Sequence, residues 1–149
     1  MMIRTVLAVT ALALGVSAAT AQDPIAARKA LMKSNGQQFY GVLNKMQRGQ
    51  DPYDQTKVDA AFAALVDNAQ KLPPLFPASS KPARPSGDYD ASNKVWENKS
   101  DFDAQLAKLA KDIGDNRAKA KNLDELKDVY RAINQNCGGC HEHYRHKNG

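Results

Sequence analysis

The chain has 149 residues, of which 21 are lysine or arginine and 16 are aspartate or glutamate, so its formal net charge is +5 at neutral pH. Basic and acidic residues alternate along the sequence, without a basic run or interleaved aromatic residues, so we expect no nucleic-acid-binding surface. The length is that of one domain and is sufficient for a hydrophobic core.

The start of the chain has the pattern of a secretory signal peptide. Arg4 provides the positive charge, residues 6–16 form the apolar run, and Ala19-Thr20-Ala21 resembles a cleavage site. The apolar run is too short to cross a bilayer, and no later stretch is long and uncharged enough, so we predict no membrane span. We therefore expect export to the periplasm, removal of residues 1–21 and one mature domain, residues 22–149.

Two amphipathic helices are predicted in the first half of the mature chain. Asp23-Pro24 is a typical helix start, because aspartate caps the first turn and proline fits into it. This first helix ends near Gly49, and its inward stripe recurs every three or four residues: Ile25, Arg28, Met32, Asn35, Phe39, Val42 and Met46. Asp54 caps the second helix, which ends at Pro73-Pro74 and carries the stripe Val58, Phe62, Leu65, Ala69 and Leu72.

Two further helices follow a proline-rich connection, residues 73–92, which we expect to be an ordered crossover or a partly mobile loop. The third helix begins beside Trp96 with a nearly unbroken stripe: Val95, Lys99, Phe102, Leu106, Leu109 and Ile113. Asn122 and Glu125 resemble a capping box for the fourth helix. Its stripe is Leu123, Leu126, Tyr130, Ile133, Cys137, then Cys140 or His141, and Tyr144. Since strand patterns are absent, we predict an all-α, antiparallel four-helix bundle with a cofactor in its interior near the C-terminal helix.

The motif Cys137-Gly138-Gly139-Cys140-His141 is the attachment signature of c-type haem. In a helix, at about 100° per residue, Cys140 lies about 300° around the axis from Cys137, and His141 lies about 40° from it. One helix face therefore presents two thiols and one imidazole to the same porphyrin. A redox dithiol, a disulfide or half of a zinc site is the alternative, but the sequence contains only these 2 cysteines. The predicted export supports haem attachment, which in bacteria takes place outside the cytoplasm.

With this motif at the end of a four-helix pattern, the chain resembles the class II c-type cytochromes, the group that contains cytochrome c prime and its low-spin relatives. The resemblance extends over the whole mature chain. The stretches that carry it are residues 28–36, Pro52-Tyr53-Asp54, residues 72–77, Val95-Trp96, the haem motif and Tyr144-Arg145.

The resemblance implies a ligand set. His141 is then the proximal iron ligand, Cys137 and Cys140 form the thioether bonds to one haem c, and Met32 lies over the opposite face. The stretch around Met32 is more similar to the low-spin branch, in which Met is the sixth ligand; simple packing of Met32 on the haem is the alternative. Met46 is about 21 Å further along the first helix, at 1.5 Å per residue, and we expect it in the core.

The resemblance also suggests residues around the haem. Arg28 lies one turn before the predicted Met ligand and Arg145 one turn after the proximal histidine, so each is a candidate partner of a haem propionate or, alternatively, a solvated surface arginine. Tyr144 is expected to pack in the haem pocket. Gly138 and Gly139 depart from relatives that have larger residues within the motif, which could change exposure of the haem edge.

Two functions follow from the two possible roles of Met32. If Met32 binds the iron, the protein is a soluble one-electron carrier that exchanges electrons with redox partner proteins. If Met32 only packs, the iron is five-coordinate and the protein binds nitric oxide or carbon monoxide. We expect no enzymatic activity, because no distal histidine or acid-base pair accompanies Met32 on the first helix. Both monomers and homodimers occur among the relatives, and the sequence is compatible with either.

Overall fold

The computed structural model describes residues 23–83 and 90–146. The predicted signal peptide, residues 1–21, and part of the proline-rich connection, residues 84–89, lie outside the described residues. The described chain forms the predicted all-α four-helix bundle. Its elements are α1 (Pro24–Gly36), a π-helical segment (Gln37–Leu43), α2 (Asn44–Gln47), α3 (Gln55–Lys71), two 3-10 turns (Pro73–Leu75 and Ala78–Ser80), α4 (Lys94–Glu97), α5 (Lys99–Arg117) and α6 (Leu123–Tyr144).

The first bundle helix is continuous from α1 through the π-helical segment to α2. It begins as predicted, with the Asp23 carboxylate accepting a hydrogen bond from the Ile25 amide at 2.9 Å. The segment Gln37–Leu43 is π-helical, with i→i+5 hydrogen bonds. Within it Leu43 is fully buried, whereas Val42, predicted to face inward, is only partly buried; Phe39 and Met46 on either side are buried as predicted.

The second bundle helix, α3, begins and ends where the sequence predicts. The Asp54 carboxylate accepts a hydrogen bond from the Lys57 amide at 3.1 Å, and the helix ends at Lys71, just before Leu72 and the two prolines. All five residues of its predicted stripe are buried: Val58, Phe62, Leu65, Ala69 and Leu72. Asn68 is also buried, 6% exposed, although it is polar.

The third bundle helix is not continuous as predicted, because Asn98 separates α4 from α5. Its backbone, with φ −124° and ψ 48°, is not helical. The Asn98 side chain does not cap α5, and the break is bridged by backbone hydrogen bonds: the Asn98 amide donates to the Lys94 carbonyl at 2.9 Å, and the Phe102 amide donates to the Asn98 carbonyl at 3.0 Å. Phe102 nevertheless lies in the core at 3% exposure, so the predicted stripe continues across the break.

The fourth bundle helix, α6, contains the whole haem motif. Its cap is close to the predicted capping box: the Asn122 side chain accepts from the Glu125 amide at 3.0 Å, while the Glu125 carboxylate accepts from the Lys121 amide at 2.8 Å. The end of the helix is held by the end of the crossover. There the Ser92 amide donates to the Tyr144 carbonyl at 2.8 Å.

Two apolar clusters form the core of the bundle. The first core cluster lies between the π-helical segment, α2, α3, the C-terminal part of α5 and the N-terminal part of α6, and its members include Leu43, Met46, Phe62, Ile113 and Leu126. The second core cluster lies at the other end and comprises Leu72, Phe76, Ala91, Val95, Phe102, Leu106 and Tyr144. Met46 is 2% exposed, so its prediction as a core residue is confirmed. No helix in residues 23–83 and 90–146 is long and apolar enough to cross a membrane.

Candidate haem site

The two cysteines of the motif connect the two core clusters. Cys137 packs against the first core cluster and Cys140 against the second. Both are half-buried and neither forms a disulfide bond. The structure thus places the two thiols one helical turn apart, where the apolar interior changes from one cluster to the other.

Burial keeps both thiols protonated. It raises the pKa of Cys137, and it raises the pKa of Cys140 to about 11, with further contributions from the nearby Cys137 and Asp101. Redox-active Cys-x-x-Cys pairs have lowered cysteine pKa values, so the shift here is opposite to that of a catalytic dithiol. In the described part of the chain, no three residues among His, Cys, Asp and Glu are grouped as metal ligands.

His141 follows the second cysteine on α6 and is half-buried. Burial lowers its pKa, and the positive charge of Arg145 lowers it further. Both effects favour the neutral imidazole, which is the form that binds a metal. His141 is therefore in the protonation state that a proximal ligand requires.

Gly138 and Gly139 are exposed, and a Cβ added to either would meet no atom within 4 Å apart from its chain neighbours and the backbone of its own helix. A glycine within a helix costs about 1 kcal/mol relative to alanine. The packing of the described residues therefore gives no reason for two successive glycines.

Met32 packs against the same apolar cluster as Cys140 of the haem motif. It is half-buried in α1 and packs against the second core cluster, as Cys140 does from α6. The Asn35 side chain donates a hydrogen bond to Met32 Sδ at 3.9 Å. Asn68 of α3 in turn donates to the Asn35 side-chain oxygen at 2.9 Å.

The contacts that Asn35 and Asn68 make beside Met32 were not predicted from the sequence. Asn35 belongs to the predicted stripe of the first helix. Asn68 lies three residues after Leu65 on the inward face of α3. A polar residue at a core position is the signal that could have identified this pair, since a buried amide requires a hydrogen-bond partner.

Arg28 is buried at 5% exposure, so the alternative that it is a solvated surface arginine is wrong. Its guanidinium donates to the Leu75 carbonyl at 3.2 Å and to Ser80 Oγ at 2.9 Å. It also lies over the rings of Phe76 and Trp96, at 4.9 and 5.6 Å from their centroids. Burial lowers the Arg28 pKa. Arg28 thus attaches the crossover to α1, and propionate binding stays a prediction.

The other two predicted pocket residues lie at the end of α6. Arg145 is exposed. Tyr144 is buried in the second core cluster, with its ring edge-on to Phe102 at 5.1 Å. Its hydroxyl donates to the Asp101 carboxylate, a bond that, with burial, raises the Tyr144 pKa to about 12. Tyr144 and Cys140 therefore share one cluster, while contact of Tyr144 with a haem stays a prediction.

Open space adjoins the motif. A groove of about 340 Å³ between α5 and α6 is lined by Leu109, Asn136, Gly139, Cys140 and His143, among others. A groove of about 520 Å³ at the turn between α5 and α6 includes no residue of the motif.

The residues present fit a haem. One helix supplies two protonated thiols and a neutral imidazole, and α1 supplies a thioether to the cluster that one thiol joins. Imidazole and thioether are both axial ligands of haem iron in c-type cytochromes.

Comparison with known proteins identifies the family. The sequence model of the family described as Cytochrome C' matches residues 23–145. A cytochrome c-556 from Rhodopseudomonas palustris is 40% identical over 150 aligned residues, which cover 99% of this chain and 100% of that protein. A cytochrome c' from the same organism is 38% identical over 135 residues, 90% of each chain.

The likeness extends to three dimensions. The NMR-validated structural model for oxidized R. palustris cytochrome c556 has a TM-score of 0.77 and 38% identity with this chain, and the match covers 87% of this chain and 100% of that one. The folds and the sequences agree along nearly the whole described length. This chain therefore belongs to the cytochrome c' family, whose members carry a covalently attached haem c.

Proposed function

We propose that this protein is a periplasmic one-electron carrier in which Cys137 and Cys140 hold the haem and His141 and Met32 bind its iron. The observation that carries the proposal is the position of Met32, which packs from α1 against the apolar cluster that Cys140 joins from α6. A thioether packed against the same cluster as Cys140 would be the second axial ligand, beside His141, and would supply the Met/His ligation of an electron-transfer haem. The similarity to a relative named cytochrome c-556 supports the same branch of the family.

The residues around the site suit electron transfer. The haem supplies one-electron redox chemistry. His141 and Met32 would hold the iron in both oxidation states, so little would need to move at each transfer, and Met/His ligation raises the reduction potential. The second core cluster provides apolar packing on the side of Met32. Leu31 and Asn35, which flank Met32, provide no acid-base pair, so we propose no enzymatic activity.

The proposed location and partners follow from the first residues and the charge. Residues 1–21 would direct export and be removed, leaving residues 22–149 to receive haem in the periplasm. The partners would be other redox proteins. Residues 22–149 contain 20 basic and 16 acidic residues, a net charge of only +4, and the two signs are interspersed. Electrostatic steering of these partners would therefore be weak.

Binding of nitric oxide or carbon monoxide is the second candidate function. Leu31, adjacent to Met32, also packs against the second core cluster. If Leu31 rather than Met32 covered the haem, the iron would be five-coordinate behind an apolar wall. Such a wall admits diatomic gases and offers no hydrogen bond to ligands that need one.

Visible and near-infrared spectra of the haem-loaded protein, oxidised and reduced, distinguish the two functions. Met32 ligation predicts a low-spin ferric spectrum with a thioether-to-iron charge-transfer band, and a reduced form that does not react rapidly with carbon monoxide. A high-spin ferric spectrum with rapid carbon monoxide binding would instead support gas binding and reduce Met32 to a packing residue.

A further inference from the structure

Two consecutive hydrogen bonds, from Asn68 to Asn35 and from Asn35 to Met32, connect α3 to the Met32 sulfur on α1. The Asn68 amide nitrogen donates to Asn35 Oδ1 at 2.9 Å, and the Asn35 amide nitrogen donates to Met32 Sδ at 3.9 Å. Asn68 also donates to Ser34 Oγ at 3.0 Å. These hydrogen bonds thus begin at a buried residue of α3 and reach the side chain proposed as the sixth ligand.

The orientation of the Asn35 amide is set by Asn68. An asparagine side chain has one acceptor end and one donor end. Since the Asn35 oxygen accepts from Asn68, its NH₂ group is the end that is directed at Met32. Rotation of the Asn35 amide by 180° would lose both hydrogen bonds.

Burial of the Asn68 amide destabilises the protein unless the amide is hydrogen-bonded. Asn68 is 6% exposed, and a buried amide without partners destabilises a protein. Apolar residues at positions 35 and 68 would pack between α1 and α3 without that requirement. Asn68 is stabilised in the interface by its hydrogen bonds to Ser34 and Asn35.

The sulfur is suited to such a contact. A thioether sulfur is a weak hydrogen-bond acceptor and has two lone pairs, so one can accept from Asn35 while the other remains for a metal. Met has three rotatable side-chain bonds, and an untethered Met side chain must lose that freedom each time it binds.

We propose that Asn35, oriented by Asn68, is a positioning residue that holds Met32 in the conformation in which its sulfur binds the haem iron. The inference rests on the proposed function, since it requires Met32 to be the sixth ligand. Without Asn35, Met32 would dissociate from the iron more often, and an external ligand would enter more readily.

The test is the rate at which carbon monoxide binds to the reduced, haem-loaded protein. Carbon monoxide enters only when Met32 has left, so its binding rate follows the fraction of open iron. Asn35→Leu should increase the rate about twofold, the factor that corresponds to the weak end of the range for a hydrogen bond, because sulfur is a weak acceptor. Asn35→Asp keeps an acceptor for Asn68 but removes the donor toward Met32 Sδ, so it should show the same increase in rate. It serves as the test if Asn35→Leu does not yield haem-loaded protein.

Ser34→Ala is the matched control, because it removes the other hydrogen bond of Asn68 and leaves the contact between Asn35 and Met32. It should leave the rate unchanged. In a Met32→Ala background, Asn35→Leu should have no further effect, since no thioether remains to be positioned.

The outcomes distinguish a failure of the positioning role from a failure of Met32 ligation. If the unsubstituted protein is low-spin and neither Asn35 variant binds carbon monoxide faster than Ser34→Ala, the positioning role is wrong and Met32 ligation stands. If the unsubstituted protein is high-spin and binds carbon monoxide rapidly, the sixth-ligand assignment fails, and the positioning role fails with it.

Discussion

The guanidinium of Arg28 lies beneath the crossover that follows α3, where it contacts a backbone carbonyl, a hydroxyl and two aromatic rings. From sequence, an arginine one turn before Met32 suggests a haem propionate or solvent. Its actual partners lie about 50 residues further along the chain, and local spacing carries no information about them. At the residue scale, a charged side chain can therefore be a structural element of the core.

Arg28→Ala should destabilise the haem-loaded protein by about 2 kcal/mol, because it leaves buried acceptors unsatisfied and removes two cation–π contacts. Urea unfolding followed by circular dichroism measures this change. Arg131→Ala is the control, since the Arg131 side chain is 71% exposed and its loss should change stability by less than about 0.5 kcal/mol. Equal effects of the two substitutions would show that Arg28 does not hold the crossover.

The hydrogen bond between Tyr144 and Asp101 predicts a pH dependence. The Tyr144 pKa is raised to about 12 from a usual value of 10.0, so the folded state favours the protonated phenol. The resulting stability is fully present below pH 10 and is lost as the pH rises through about 12.

Tyr144→Phe should therefore be less stable than the unsubstituted protein at pH 8, and the difference should shrink between about pH 10 and pH 12. Urea midpoints measured across this range provide the comparison. A difference that stays constant from pH 8 to pH 12 would mean that the hydroxyl does not donate to Asp101 in solution.

At the element scale, the sequence predicts helix ends well where the capping chemistry is local. Asp54, Asn122 and the Pro73-Pro74 stop act on neighbours a few residues away, and the structure has helix ends at these positions. The π-helical segment (Gln37–Leu43) and the break at Asn98 were not predicted. A pattern with one fixed helical period contains no sign of a wider turn, or of a break that leaves the apolar stripe intact.

Substitution of the two glycines of the haem motif tests whether they lower the stability of α6. Since a Cβ at Gly138 or Gly139 meets no atom within 4 Å apart from its chain neighbours and the backbone of its own helix, alanine at either position should stabilise the helix by about 0.5–1 kcal/mol. Urea unfolding of the haem-loaded variants measures the change.

Gly49→Ala is the control for these substitutions, because Gly49 has φ +69° and alanine is strained there. It should lower stability. If Gly138→Ala and Gly139→Ala lower it as well, the glycines are required by close approach of the haem rather than tolerated by an open helix face.

At the scale of the whole molecule, the fold was predictable and part of the site was not. Four inward stripes predict four helices, and the motif predicts that thiols and imidazole share one helix face, because both patterns are periodic along the chain. Asn68 contacts Asn35 from 33 residues away, and this contact exists only once α1 and α3 are packed. The hydrogen bonds around Met32 therefore form only in the packed bundle.

Proton NMR of the reduced, haem-loaded protein distinguishes a Met32 that binds the iron from a Met32 that only packs against the haem. A methyl group bound next to the iron lies over the porphyrin, so its ring current shifts the Met32 methyl resonance far upfield. We predict one such methyl signal, lost in Met32→Leu and retained in Met46→Leu, since Met46 lies in the first core cluster. The absence of any upfield methionine methyl signal, or its survival in Met32→Leu, would contradict the account.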